Sequence, residues 1–228
     1  MKTHQHNTLN RFAASLLALA SIIPASALAS PFQNGTFDLG LLGWTHLNGT
    51  GDGNGSSNFV FNSNQYVGDG ILYQPFDTLS GQQYAVTFDF TTYGGPTSGY
   101  LQTLQSEVRD GNSFSSGSES IDVGSASLSP NGNVGMSLSQ VGSVVTVSDS
   151  NSGDGSPRST VSFTFTALSG SSTLVFTDQT GGAGQFTDSI LDTVTVTTVP
   201  EPSTCILLLS GLALGLRRRT LRPHERSA

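Results

Sequence analysis

Between Ser30 and Val199 the chain has no lysine, no cysteine, one histidine (His46) and two arginines, Arg109 and Arg158. Each scarcity removes a class of chemistry. Without cysteine there is no disulfide and no thiol nucleophile, so stability rests on packing, alone or with a bound metal. With one imidazole, catalytic zinc lacks ligands. A Ser-His-Asp triad would have to use His46, which sits two residues after Trp44 in a predicted strand, with no nucleophile-elbow pattern around it. The two arginines stand against fourteen Asp and Glu, a net of −12 where the whole chain carries −7. Polyanions are bound by neutralising their phosphates with Lys or Arg, so nucleic acid is excluded as a partner, and anionic lipid headgroups offer no attraction. Fourteen carboxylates are compatible with cation binding, as they are with simple solubility. They contain pairs that glycoside cleavage needs, yet no spacing selects one. No catalytic residue is assigned, and the chain reads as a non-enzyme.

Long apolar runs occur only at the two ends. Lys2 and Arg11 precede Phe12 to Ile23, and small residues follow up to Ala27-Leu28-Ala29. A charged region, a short apolar region and an Ala-x-Ala site predict a signal helix over residues 1–29, cleaved after Ala29. The run is shorter than the roughly 20 residues of a membrane span; an uncleaved anchor or core helix is the alternative. At the other end, Val199-Pro200-Glu201-Pro202 precedes an apolar stretch from Cys205 to Leu216 and then Arg217-Arg218-Arg219. Basic residues beside an apolar segment stay cytoplasmic, which places the preceding domain outside. The prolines stop a helix from extending backward. An apolar stretch of only twelve residues predicts a helix held only transiently in the inner membrane.

Pro200-Glu201-Pro202, the apolar segment and the cluster Arg217, Arg218 and Arg219 resemble a PEP-CTERM sorting signal covering residues 199–228. The resemblance implies processing by an exosortase, a membrane protease-transpeptidase. It also implies a Gram-negative envelope or matrix address, often in a producer of exopolysaccharide. An ordinary C-terminal anchor predicts the same topology without processing.

The intervening residues 30–198 suit one domain. Tyr84, Val86, Phe88 and Phe90 alternate with Ala85, Thr87 and Asp89, and Val161, Phe163 and Phe165 alternate with Ser162 and Thr164. Period two predicts strands, as it does around Met136 and Leu138, Val145 and Val147, Leu174 and Phe176, and Val194 and Val196. Gly-rich turns such as Ser80-Gly81 and Asn131-Gly132 separate them, so the expected fold is all-β, a single β-sandwich. Residues 49–58 and 148–159, poor in apolar side chains, are expected as surface loops. Asp149-Ser150-Asn151-Ser152-Gly153-Asp154-Gly155 fails the register of a helix-loop-helix calcium loop and reads as a solvated turn.

Asn34-Gly35-Thr36-Phe37-Asp38, Gly43-Trp44-Thr45, Leu72-Tyr73-Gln74-Pro75-Phe76 and Asp188 to Val196 together resemble jelly-roll carbohydrate-binding modules of the family-4 and family-9 type. The resemblance implies a buried Trp44 and structural calcium held by Asp38 and Asp192. Strand parity independently places Asp192 on the side of Val194 and Val196, where a carboxylate needs a partner. Calcium or a hydrogen-bonded cap would each supply one. A sugar site requires an exposed aromatic face beside hydrogen-bonding side chains. Tyr66, Tyr93 and Tyr100, in or beside loops, are the candidates. The expected function is an exported, non-catalytic sandwich that binds carbohydrate or exopolysaccharide. A structural or adhesive surface protein is the alternative, and a carboxylate-dependent glycoside hydrolase is a weaker one.

Overall fold

Period-two alternation decides the architecture. In a computed structural model describing residues 32–47, 50–52, 57–62, 70–94, 101–114, 118–129, 135–149, 158–179 and 187–200, every regular element is a strand. They are β1 (Thr45–Leu47), β2 (Thr50–Asp52), β3 (Phe59–Asn62), β4 (Ile71–Asp77), β5 (Gln83–Gly94) and β6 (Gln102–Asp110). Then come β7 (Ser127–Ser129), β8 (Met136–Val141), β9 (Val144–Asp149), β10 (Ser159–Thr166), β11 (Ser171–Asp178) and β12 (Thr187–Thr198). The signal helix with Ala27 and Ala29, and the sorting helix after Pro200, lie outside the described residues.

The strands form two six-stranded antiparallel sheets. Sheet A runs β1-β4-β11-β6-β9-β8 and sheet B runs β2-β3-β12-β5-β10-β7. From β3 to β8, and again from β9 to β12, successive strands change sheet, as a jelly-roll sandwich requires. One face of each strand turns inward. Tyr84, Val86, Phe88 and Phe90 of β5 meet Leu72 and Phe76 of β4, Leu174 and Phe176 of β11, and Leu104 and Val108 of β6 in one core. Burying each of these side chains contributes about 1.5–3 kcal/mol. Phe88 and Phe176 join the layers edge to face, with centroids 5.0 Å apart.

Two segments depart from the expected pattern. Thr50–Asp52, expected within a loop, pairs with Asp52 opposite Val60 as the edge strand β2. In β12 the register with β5 shifts between Asp192 and Thr195, and Thr193 adopts φ 47°. The bulge reverses parity. Asp192 therefore stands opposite Asp89 on the outer face of sheet B, because Phe88 and Phe90 on either side of Asp89 point inward. Val194 returns to the core, so the sequence-based placement of Asp192 on the side of Val194 is corrected.

The sandwich has two unlike ends. At one, Val199 N–H donates to the Gln83 carbonyl (2.9 Å) and the Gln82 side-chain amide donates to the Val199 carbonyl (2.9 Å). The tight turns around Ser80-Gly81 and Leu168 to Gly170 lie here. At the other, strands end that lead into residues 63–69, 95–100, 150–157 and 180–186. There the inner face becomes polar: Thr92 Oγ1 donates to buried Asp149 (2.9 Å) and Ser189 Oγ to buried Asp178 (3.4 Å).

Candidate functional site

The outer face of sheet A carries the site. Inward Leu72, Gln74 and Phe76 force Tyr73 and Pro75 outward on β4. Tyr73 is level with Val175 of β11, which is level with Glu107 of β6; Pro75, Thr173 and Arg109 form the next row. Pro75 is tolerated because β1 has ended by this row, so its missing N–H faces no partner strand. Thr173 and Val175 are buried although they face away from the core, because the chain after β6 folds over them. Thr173 Oγ1 donates to the Gly111 carbonyl (2.8 Å), and Phe114 lies beside Tyr73 with ring centroids 5.6 Å apart.

Charge is arranged with equal care on this face. The Arg109 guanidinium carbon sits 4.7 Å from the Phe114 ring centre, a cation–π contact. The same guanidinium pairs with Glu107 through Nη2 (2.7 Å) and Nε (2.9 Å), and Ser120 Oγ donates to the other Glu107 oxygen (2.9 Å). Both charged side chains keep some exposure, 19% for Arg109 and 15% for Glu107. Ser120 also lines a hollow of about 450 Å³ with Glu119, Ile121, Asp122, Thr166 and Leu168. The result is an aromatic surface of two rings beside fixed donors and acceptors.

The residues singled out from the sequence are distributed differently. Tyr66 and Tyr100 lie outside the described residues; Tyr93 belongs to β5, opposite Asp188, with its side chain outside the description. The strand ends flanking all three meet at the loop end of the sandwich. Trp44 is core, 6% exposed, its Nε1–H donating to the Asn34 carbonyl (3.1 Å). His46 packs on Phe59 (5.2 Å), and burial lowers its pKa from the ordinary imidazole value. Sequence reasoning assigned no role to Arg109, Glu107 or Phe114, and used Tyr73 only as part of a motif. Its usable signals were the parity of Tyr73 against Leu72 and Phe76, and an aromatic at the end of polar Gly111-Asn112-Ser113.

Asp38 and Asp192 each have their own donors. Exposed Asp38 accepts from Thr36 Oγ1 (2.8 Å) and Ser57 Oγ (2.9 Å), which hold its carboxyl below the usual range. Asp192 accepts from Thr193 N–H (2.6 Å) and Thr193 Oγ1 (3.1 Å) through Oδ1, while Oδ2 has no directed hydrogen bond and is compensated by an ion pair with Arg158. Opposite it, Asp89 accepts from Thr160 Oγ1 (2.7 Å). Among the described residues no three His, Cys, Asp or Glu side chains converge on a metal-sized point. The donors described around Asp192 form a capped ion pair in which Arg158 brings the positive charge. Chelation is therefore expected to leave the melting temperature of the protein unchanged, while Arg158→Ala lowers stability by roughly 1–2 kcal/mol in thermal unfolding. A melting temperature that falls with chelator would restore the cation.

Comparison with known proteins adds the address of the chain. Residues 198–220 match the PEP-CTERM protein-sorting motif. The motif marks an exported protein of the Gram-negative cell envelope, with an exosortase as its processing partner. Pro200 is the last described residue; Glu201, Pro202, Arg217, Arg218 and Arg219 follow outside the description. No curated protein matches the chain. Among solved structures it is similar to a family-4 carbohydrate-binding module, at 12% identity over 73% of this chain and 99% of that one, with a TM-score of 0.48. It is also similar to the CBM22-1 and GH10 modules of Clostridium thermocellum endo-1,4-beta-D-xylanase 10B complexed with xylohexaose (16% identity, 77% of this chain, 28% of that chain, TM-score 0.38). The N-terminal cellulose-binding domain of Cellulomonas fimi beta-1,4-glucanase C is a third (14% identity, 75% and 99%, TM-score 0.33).

Proposed function

We propose that this exported envelope protein is a non-catalytic module that binds exopolysaccharide on the outer face of sheet A. One observation carries the reading: Tyr73 and Phe114 lie side by side next to Arg109 and Glu107. A pyranose has an apolar C–H face that stacks on an aromatic ring, and equatorial hydroxyls that bond to planar polar side chains at its rim. Arg109 is already stacked and paired, so little side-chain entropy is lost when a sugar arrives. Gln105 and Thr177 extend the same face with hydrogen-bonding groups, since the two stand level with one another. A long polymer can lie across such an open face.

The non-catalytic part of the reading rests on the state of the acids. Asp89 and Asp192, the carboxylates directly opposite one another, are held by Thr160, Thr193 and Arg158. Glu107 is held by Arg109 and Ser120. Affinity electrophoresis of the protein in gels containing a panel of bacterial exopolysaccharides tests the binding. At least one polymer should retard the wild type, and Tyr73→Ala and Phe114→Ala should each weaken retention roughly tenfold, in line with about 1–3 kcal/mol per stacking ring. If no polymer retards the protein, the binding function is lost and a structural or adhesive role takes its place.

A further inference from the structure

The stretch Val123 to Ser148, twenty-six residues, contains no Asp, Glu, Lys, Arg or His, in a domain of net charge −12. It supplies β7, β8 and all of β9 except its last residue, Asp149, which is buried. β7 is one edge of sheet B and β8 one edge of sheet A, and the two edges lie on the same side of the sandwich. Gln140 of β8 stitches them: its amide donates to the Val123 carbonyl (3.0 Å) and accepts from Ala126 N–H (2.9 Å), just before β7. One lateral side of an otherwise acidic body is thus electrically neutral.

The edge on that side is also open. The edge strands β1, β2 and β7 are three residues each, a length that protects an edge by itself. β8 has six residues, Met136 to Val141, and among the described residues it is hydrogen-bonded on one side only, to β9, in an unbroken register. It has none of the usual protections: no lysine, no proline, no bulge. Val141, at its end, is 80% exposed, and Met136 and Leu138 are only partly covered by the core they pack against. Two copies of the chain repel across most of their surface and meet without repulsion here.

We propose that β8 pairs antiparallel with β8 of a second copy of this chain. A two-fold axis at Leu138 keeps the inward faces matched: Leu138 lies opposite its counterpart, and Ser137 opposite Ser139 of the second copy. Two six-stranded sheets become one of twelve strands, and the half-covered Met136 and Leu138 gain cover at the seam. Because the contact is self-complementary it closes as a dimer and does not propagate. The inference rests on the edge of sheet A at β8, two strands beyond β6, whereas the aromatic pair proposed to bind polysaccharide belongs to β4 and the segment after β6.

Sedimentation equilibrium of the full chain in density-matched detergent tests it. The wild type should dimerise, more tightly as salt screens the repulsion between acidic bodies. The double variant Ser137→Lys/Ser139→Lys sets lysine opposite lysine at both positions and should weaken dimerisation roughly tenfold or more. Both serines are exposed, so its circular dichroism should match the wild type, as should its melting temperature at concentrations low enough for both to be monomeric. A wild type that stays monomeric, or a double variant that dimerises as well as the wild type, overturns the proposal. Tyr73→Ala, on β4 toward the opposite edge of sheet A, should dimerise as the wild type does while losing polysaccharide retention, so failure here and failure of the binding face are separable.

Discussion

Substituting Gly35 with alanine is expected to cost roughly 3 kcal/mol or more, enough to lower the melting temperature by about 6–12 °C, or to abolish folding. A Cβ at this position would stand 1.8 Å from the Val194 carbonyl oxygen and 2.8 Å from its carbon. Both atoms are backbone, so no rotamer change relieves the overlap. The same two residues are hydrogen-bonded, Val194 N–H to the Gly35 carbonyl at 2.9 Å, so moving them apart breaks the junction of the opening segment with β12. The junction supports more than itself. Asn34 beside it holds the Gly40 carbonyl (2.8 Å) and receives the Trp44 indole, and Phe37 is fully buried beneath. Urea unfolding measures the loss, and a change under about 1 kcal/mol would mean that the segment shifts freely, contrary to this account.

Phe176→Ala should cost a comparable amount, about 3–5 kcal/mol, with the denaturant slope unchanged. Phe176 is fully buried at the centre of sheet A, with Phe88 of sheet B at 5.0 Å and Trp44 at 6.2 Å. Removing the ring leaves a cavity between two sheets whose spacing is fixed by many other pairs, so the walls cannot close on it. Phe176→Leu, which refills most of the volume, should recover much of the loss. If alanine costs no more than leucine, the sheets are free to collapse and the core is looser than described.

The parts of the fold that could be read in advance were those where period two is strong. Tyr84 to Phe90 and Val161 to Phe165 alternate cleanly, and they became β5 and β10 with their inward faces as expected. β6 was hidden because its inward side, Gln102, Leu104, Ser106 and Val108, is half polar and blurs the alternation. β11 is buried on both sides from Ser172 to Phe176, since the Phe114 segment covers its outer face, and no strand pattern announces such a cover. Asp192 was misplaced for a different reason. A single residue at positive φ, Thr193, reverses parity, and threonine carries no signal for that conformation. The site shows the same division. Trp44 as core was legible from its type and number. The neighbourhood of Tyr73, Phe114 and Arg109 was not, because it joins β4, β6 and the segment after β6 across the strand β11 that arrives sixty residues later.

The tie of Val199 to Gln82 and Gln83 places the first residues of the sorting motif inside the folded edge, with no slack before Pro200. Whatever holds the tail therefore grips the sandwich by one end. The strand ends leading to Tyr66, Tyr93 and Tyr100 lie at the opposite end, the length of β5 away, roughly 40 Å for twelve residues. The end that carries those strands is therefore the end of the sandwich farthest from the tail, with the sheet faces along its sides.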